Sequence, residues 1–153
     1  MIELAIPGRD ALSLQHAVFD LNGTLALDGS LLPEISGRLS RLASVLECQV
    51  ASADTHGTLA QVGAALGLPV AVVRDGEDKA RMVRSLGASS VVAIGNGRND
   101  VPMFQAAALA IAVLGPEGAD PHALMAADIV VANPLDAIEL LLNPARLRAT
   151  LRI

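Results

Sequence analysis

Short aliphatic runs punctuate this chain, separated by stretches in which apolar residues recur every three or four positions. The runs cover 16–19, 48–51, 69–73, 91–94, 109–114 and 128–132. Each is bounded by turn residues, and a continuous apolar run of that length reads as a strand of a parallel sheet, buried on both faces. Between them the spacing predicts a helix over 33–46, a second that follows residues 52–55 and stops at Gly67, helices over 77–86, 101–108 and 135–142, the last of the chain, and a short one between the last two strands. Pro33 opens the first of these, and Ile35, Leu39, Leu42, Val45 and Leu46 fall on one face. Asp54 or Thr55 is placed to cap the second, whose inner face carries Leu59, Val62, Ala65 and Leu66, and Gly67 ends it. Ahead of all this, 1–6 and 12–14 flank Pro7-Gly8-Arg9-Asp10 and read as a small hairpin. Its expected place is a sheet edge or an oligomer contact.

Strands alternating with helices of this length mean βαβ units and a Rossmann-like parallel sheet, in a three-layer α/β/α sandwich with a small N-terminal hairpin. The 153 residues suffice for one core, so 1–153 is expected to form a single domain.

Composition narrows the function classes. Hydrophobic residues make up 52%, yet no apolar run reaches the roughly 18 residues of a membrane span. No charged-then-apolar leader opens the chain, since Glu3 and the turn at residues 7–10 interrupt it. The single cysteine, Cys48, cannot form an internal disulfide and reads as an inert core thiol. Together these point to a soluble cytoplasmic protein with no membrane partner. The net charge of −5, eleven scattered Lys and Arg, two Phe and no Trp or Tyr leave no footprint for nucleic acid. An apolar chain with an extra hairpin is compatible with self-association.

The candidate chemistry sits at the ends of the runs. His16-Ala-Val-Phe-Asp20-Leu-Asn22-Gly23-Thr24-Leu25 drives three apolar residues into an aspartate and then a turn. Asp20 would stand at the carboxyl end of its strand, where open α/β sheets bind ligands, and a carboxylate there can attack phosphorus. Ser52, Lys79, Asn96 and Asp100 follow other runs. A hydroxyl and an ammonium can hold phosphoryl oxygens, and a hard cation on carboxylates and carbonyls masks the attacking charge.

Asp20-Leu-Asn22-Gly23-Thr24-Leu25, Ser52, Lys79 and Gly95-Asn96-Gly97-Arg98-Asn99-Asp100 resemble, in order, the four motifs of the haloacid dehalogenase superfamily. Within it, Ala51-Ser-Ala-Asp-Thr-His-Gly-Thr58, the 95–100 run and residues 144–152 resemble the soluble P-type-ATPase-like branch. The resemblance implies a Mg²⁺-dependent phosphohydrolase acting on a small phosphorylated substrate through an aspartyl phosphate. It makes Asp20 the nucleophile, with Ser52 and Lys79 holding the phosphoryl group. It places Asn22, Gly23, Ala53 and Asn99 around the substrate as well, and Asp20, Asn22, Asn96 and Asp100 around the metal. Two positions depart from the family pattern. Asn22 replaces the aspartate that protonates the leaving group, which an amide cannot do, and Asn96 replaces a metal-binding carboxylate. Slow turnover is expected, best on acyl phosphates or p-nitrophenyl phosphate. The alternative is a non-catalytic module that binds phosphate and Mg²⁺ for regulation. The intervals 25–47 and 52–79 are too short for a cap domain.

Blander roles attach to the neighbours. Asn99 also braces its loop, Arg74 is the rival cation to Lys79, and His56 reads as a helix-surface residue near the site. His16 and His122 read as structural or exposed. A receiver domain would need an acidic pair on a strand before the acceptor, and none precedes Asp20.

Overall fold

The structure is a computed structural model and describes residues 1–54 and 57–153. The capping role read for Thr55 and the helix position read for His56 lie outside the described residues. In chain order the elements are β1 (Ile2–Leu4), β2 (Leu12–Leu14), β3 (His16–Phe19), β4 (Ala26–Leu27), β5 (Ser30–Leu31), α1 (Ile35–Ala43), β6 (Glu47–Ser52), α2 (Leu59–Leu66) and β7 (Val70–Val72). They continue with α3 (Gly76–Ser85), β8 (Val91–Gly95), α4 (Val101–Ala106), β9 (Leu109–Val113), α5 (Pro121–Ala126), β10 (Ile129–Val131), α6 (Pro134–Leu142) and α7 (Pro144–Leu151).

Six of the strands form one parallel sheet in the order β10-β9-β8-β3-β6-β7. The chain leaves β3 toward β6 and β7, then returns to β8 on the other flank. That reversal puts the topological switch point at β3, where such sheets bind ligands beyond their carboxyl ends.

The two faces differ in side-chain size, a distinction hidden inside runs that look uniformly apolar. Ala17 and Phe19 of β3, Val92 and Ile94 of β8, and Leu109, Ile111 and Val113 of β9 face α1, α2, α6 and α7. Val18, Ala51, Ala93, Ala110 and Ala112 face α3, α4 and α5. Small residues on that side let the helix layer carrying Lys79 approach the sheet. On the other side Ile35, Leu39 and Leu42 of α1 are wholly buried, each contributing about 1.5–3 kcal/mol of apolar burial.

Several sequence expectations are corrected, and one element is added. The N-terminal hairpin is not on an edge of the main sheet. β1 and β2 pair antiparallel as a separate ribbon whose Ile2, Leu4 and Leu14 enter the same core as Leu147 and Leu151 of α7. α6 is not the last helix, since Pro144 starts α7 after Asn143. In α2 the inner face takes Gly63 and leaves Ala65 exposed, because a Cβ at 63 would lie 2.6 Å from Val70 Cγ1. Between β3 and α1 the chain folds a further hairpin, β4–β5, whose turn residues Asp28 and Gly29 have φ of 51° and 80°. This is the positive-φ pair that two-residue hairpins require. The N-cap of α2 is Thr58 rather than Asp54, and its side chain makes no capping hydrogen bond; Asp54 Oδ1 instead reaches the helix start from farther back, accepting from Leu59 N–H at 2.8 Å. Among the described residues no inserted cap domain appears.

Candidate active site

Sheet order makes the strand-end residues neighbours. β3 lies between β6 and β8 with Phe19 opposite both Val50 and Ile94. Asp20, Ser52 and Asn96 therefore emerge side by side at the carboxyl rim. Asp20 N–H donates to the Ile94 carbonyl at 2.8 Å, which fixes the start of the loop. The carbonyl of Leu21 then accepts from the N–H groups of Thr24, Leu25 and Ala26, and Gly23 takes φ 78° to close the turn.

A cavity of about 180 Å³ lies over these residues, lined by Asp20, Asn22, Ser52, Ala53, Asn96, Gly97 and Asn99. A larger hollow of about 730 Å³ beside Gly8, Arg9, Asp10 and Leu12 is wide open and gathers no comparable set of groups. Chemistry rather than size selects the smaller one. His16 lies across from Glu47 low in the sheet and His122 sits by Asp120 on α5, so neither lines the cavity.

Lys79 arrives from the first turn of α3. Asp75 caps that helix by accepting from Asp78 N–H at 2.9 Å. Gly76 lets the helix approach the 95–100 loop, since a Cβ there would meet the Asn99 carbonyl oxygen at 2.5 Å. The Lys79 ammonium donates to Asp20 Oδ1 and to Asp100 Oδ1, both at 2.6 Å, and is wholly buried. Its rival Arg74 instead pairs with Asp78 on the surface.

Asp100 is also wholly buried, and its Oδ2 accepts from the N–H groups of Asn96 and Gly97 at 2.9 Å each. Only glycine fits at 95, where a Cβ would lie 2.4 Å from that oxygen. Asp100 thus has both oxygens engaged and does not line the cavity. Its contacts suit holding Lys79 and the loop rather than direct ligation of a cation. Gly23 and Lys79, expected around a substrate, also lie behind the cavity wall.

Burial of Asp20, then the charge of Asp100, push the Asp20 carboxyl up to about 7, although Lys79 works against them. Burial works to lower the Lys79 pKa, but the two carboxylates outweigh it and hold the ammonium above its ordinary value.

Asn96 is fastened at both ends: Oδ1 accepts from Thr24 Oγ1 at 3.3 Å and Nδ2 donates to the Gly118 carbonyl at 3.0 Å. Asn22 Oδ1 is buried and has no hydrogen-bond partner among the described residues. Among the described residues no three His, Cys, Asp or Glu side chains converge as a metal site. The donors that do face the cavity are oxygens, from one carboxylate, a hydroxyl and amides, a set suited to a hard cation. One neighbour escaped the sequence reading. The space beside Gly23 that a Cβ would fill is approached by Asn96 Nδ2 at 2.4 Å and by Glu117 Oε2 at 2.8 Å. No local pattern marks Glu117, since only folding brings the loop after β9 against residue 23.

Residues 70–137 match the haloacid dehalogenase-like hydrolase family. The chain is 48% identical over 62 residues to the uncharacterized protein MJ0073 of Methanocaldococcus jannaschii, covering 40% of this chain and 67% of that protein. Among solved structures, the fold resembles the cobalt-bound deoxy-D-mannose-octulosonate 8-phosphate phosphatase of Haemophilus influenzae. That likeness has a TM-score of 0.71 at 17% identity, over 88% of this chain and 90% of the phosphatase. A zinc-transporting PIB-type ATPase in its E2·Pi state is similar at TM-score 0.66 and 27% identity, over 78% of this chain and 20% of the ATPase.

Proposed function

The chain belongs to the haloacid dehalogenase-like hydrolases, and from that premise we propose that it is a Mg²⁺-dependent phosphohydrolase working through an aspartyl phosphate on Asp20. The supporting observation is the convergence at one rim of a carboxylate with its own buried ammonium, 2.6 Å away. Residues 1–153 act as one hydrolase domain in this reading, and the substrate is a small phosphorylated molecule.

An Asp20 oxygen attacks phosphorus, the bond to the leaving oxygen breaks with its electron pair, and the phosphoryl group rests on Asp20. Water then attacks the same phosphorus, releasing inorganic phosphate and restoring the carboxylate. Ser52 Oγ, on the cavity wall, donates to the phosphoryl oxygens, and Asn99 and the backbone around Ala53 border them. Lys79 acts from behind, orienting Asp20 and offsetting its charge, and Asp100 orients Lys79. Asp20 and the oxygens of Asn22 and Asn96 would hold Mg²⁺, which when bound masks negative charge and polarises the phosphoryl group. This donor set fits the ion, because Mg²⁺ is commonly held by one or two carboxylates, waters and substrate phosphate.

Asn22 lines the cavity but cannot deliver a proton to the leaving oxygen. Losing such a group costs about 10²- to 10⁴-fold in rate, so leaving groups that need no proton are favoured. The same residue supports a second reading, a phosphate- and Mg²⁺-binding module that does not turn over. Assay of the purified chain with Mg²⁺ against acyl phosphates, p-nitrophenyl phosphate and alkyl phosphates separates the two. Hydrolysis abolished by Asp20→Asn is the expected result. Hydrolysis that persists in Asp20→Asn refutes the mechanism, and binding of beryllofluoride without hydrolysis of any ester favours the regulatory module.

A further inference from the structure

The charges around the cavity leave little to hold a cation by themselves. Asp20 and Asp100 share the single ammonium of Lys79, at 2.6 Å from each. Asp100 spends its second oxygen on two backbone N–H groups. Asn96 is neutral, and both ends of its amide are engaged by Thr24 and Gly118. Asn22 offers a buried Oδ1 with no partner among the described residues, a good oxygen donor without charge. One half-neutralised carboxylate, with only neutral amide and hydroxyl oxygens beside it, therefore faces an ion that gives up its water reluctantly.

A phosphoryl dianion changes that balance, because it brings two negative charges and several oxygens into the same small cavity. Resting on the hydrolase reading above, we infer that this chain does not carry a resident metal ion. It binds Mg²⁺ tightly only together with a phosphoryl group, and each ligand completes the site of the other. Thermodynamic linkage makes the effect reciprocal: whatever factor the phosphoryl group adds to Mg²⁺ affinity, Mg²⁺ adds to phosphoryl affinity.

Glu117 is a nearby carboxylate that could supply the missing charge instead. Its Oε2 and the Asn96 amide converge on the space beside Gly23, although Glu117 is exposed and does not line the cavity.

Isothermal titration of the full chain with Mg²⁺, alone and with beryllofluoride as the phosphoryl mimic, reads the coupling without any turnover. The expected result is an affinity on the order of 100-fold higher with beryllofluoride, near the upper end of ordinary coupling. Asn96→Asp, checked for folding by circular dichroism, should bind Mg²⁺ alone at least about tenfold more tightly than wild type and so narrow the ratio. Wild-type affinity for Mg²⁺ alone within about threefold of that with beryllofluoride overturns the inference while leaving the hydrolase reading intact. If that independent binding disappears in Glu117→Gln, the inference fails because Glu117 completes the site. Absence of Mg²⁺ binding in both arms removes the Mg²⁺-dependent hydrolase reading itself, and the inference with it.

Discussion

Replacing Lys79 with methionine keeps the apolar stem and deletes the ammonium, leaving Asp20 and Asp100 to face each other without it. Both partner oxygens lie 2.6 Å from Nζ, and the lysine has no exposed surface, so water cannot substitute. Breaking a buried pair by removing one partner costs about 3–5 kcal/mol, here charged to two carboxylates at once. The cost depends on pH. A carboxyl whose folded pKa stands above its unfolded value stabilises most at low pH, and that stability is lost as pH rises through the folded value. Asp20 already stands at about 7 against an ordinary 3.8, and loss of Lys79 pushes it higher. Protonated Asp20 relieves the repulsion, so Lys79→Met should lose about 3–5 kcal/mol at pH 8 and roughly half as much at pH 5. For a chain of this length that is a fall in Tm on the order of 10 °C at pH 8. With no Trp or Tyr to report by fluorescence, urea unfolding followed by far-ultraviolet circular dichroism is the suitable assay. Adding Asp20→Asn to Lys79→Met should recover about 1–2 kcal/mol at pH 8, a non-additive cycle. A loss below about 1 kcal/mol that is equal at both pH values, or strictly additive mutants, would refute the shared-ammonium picture.

Wild type itself should lose stability between pH 4 and pH 7 as Asp20 ionises. The shift corresponds to an upper bound of about 4 kcal/mol, and Asp20→Asn should flatten this part of a pH series of urea midpoints. Asn22→Asp restores a proton donor on the cavity wall and should raise kcat on alkyl phosphates by about 10²-fold or more. Acyl phosphates should gain far less, and steady-state kinetics on the two substrates gives the ratio. Gly76→Ala drives a methyl against the Asn99 carbonyl and should shift α3 with Lys79. The expected cost is about 1–3 kcal/mol by chemical denaturation, with lowered turnover.

Most strands and helices were legible because their signals are local. Apolar runs bounded by turn residues marked β3, β6, β8 and β9, Pro33 marked the approach to α1, and Gly67 marked the end of α2. Two further elements also carry local signals: Asp28-Gly29 is a hairpin dipeptide, and Pro144 is a helix opener. The roles of Gly63 and Ala65 could not be read, because helical spacing does not say which small residue must yield to Val70. Glu117 and the double engagement of Asp100 depend on contacts between distant loops, which no periodicity encodes.

By itself, then, the order of residues determined an alternating α/β chain with Asp20, Ser52, Lys79 and Asn96 each at the end of a strand, just beyond one, or at a helix start. Backbone propensity and solvation act over a few residues, so that much is written locally. Which strands became neighbours, which face took the alanines, and that Lys79 is shared by two carboxylates were decided only in three dimensions. Those outcomes come from the close packing of β6, β3 and β8 under α3, where burial turns separate polar residues into one coupled charge cluster.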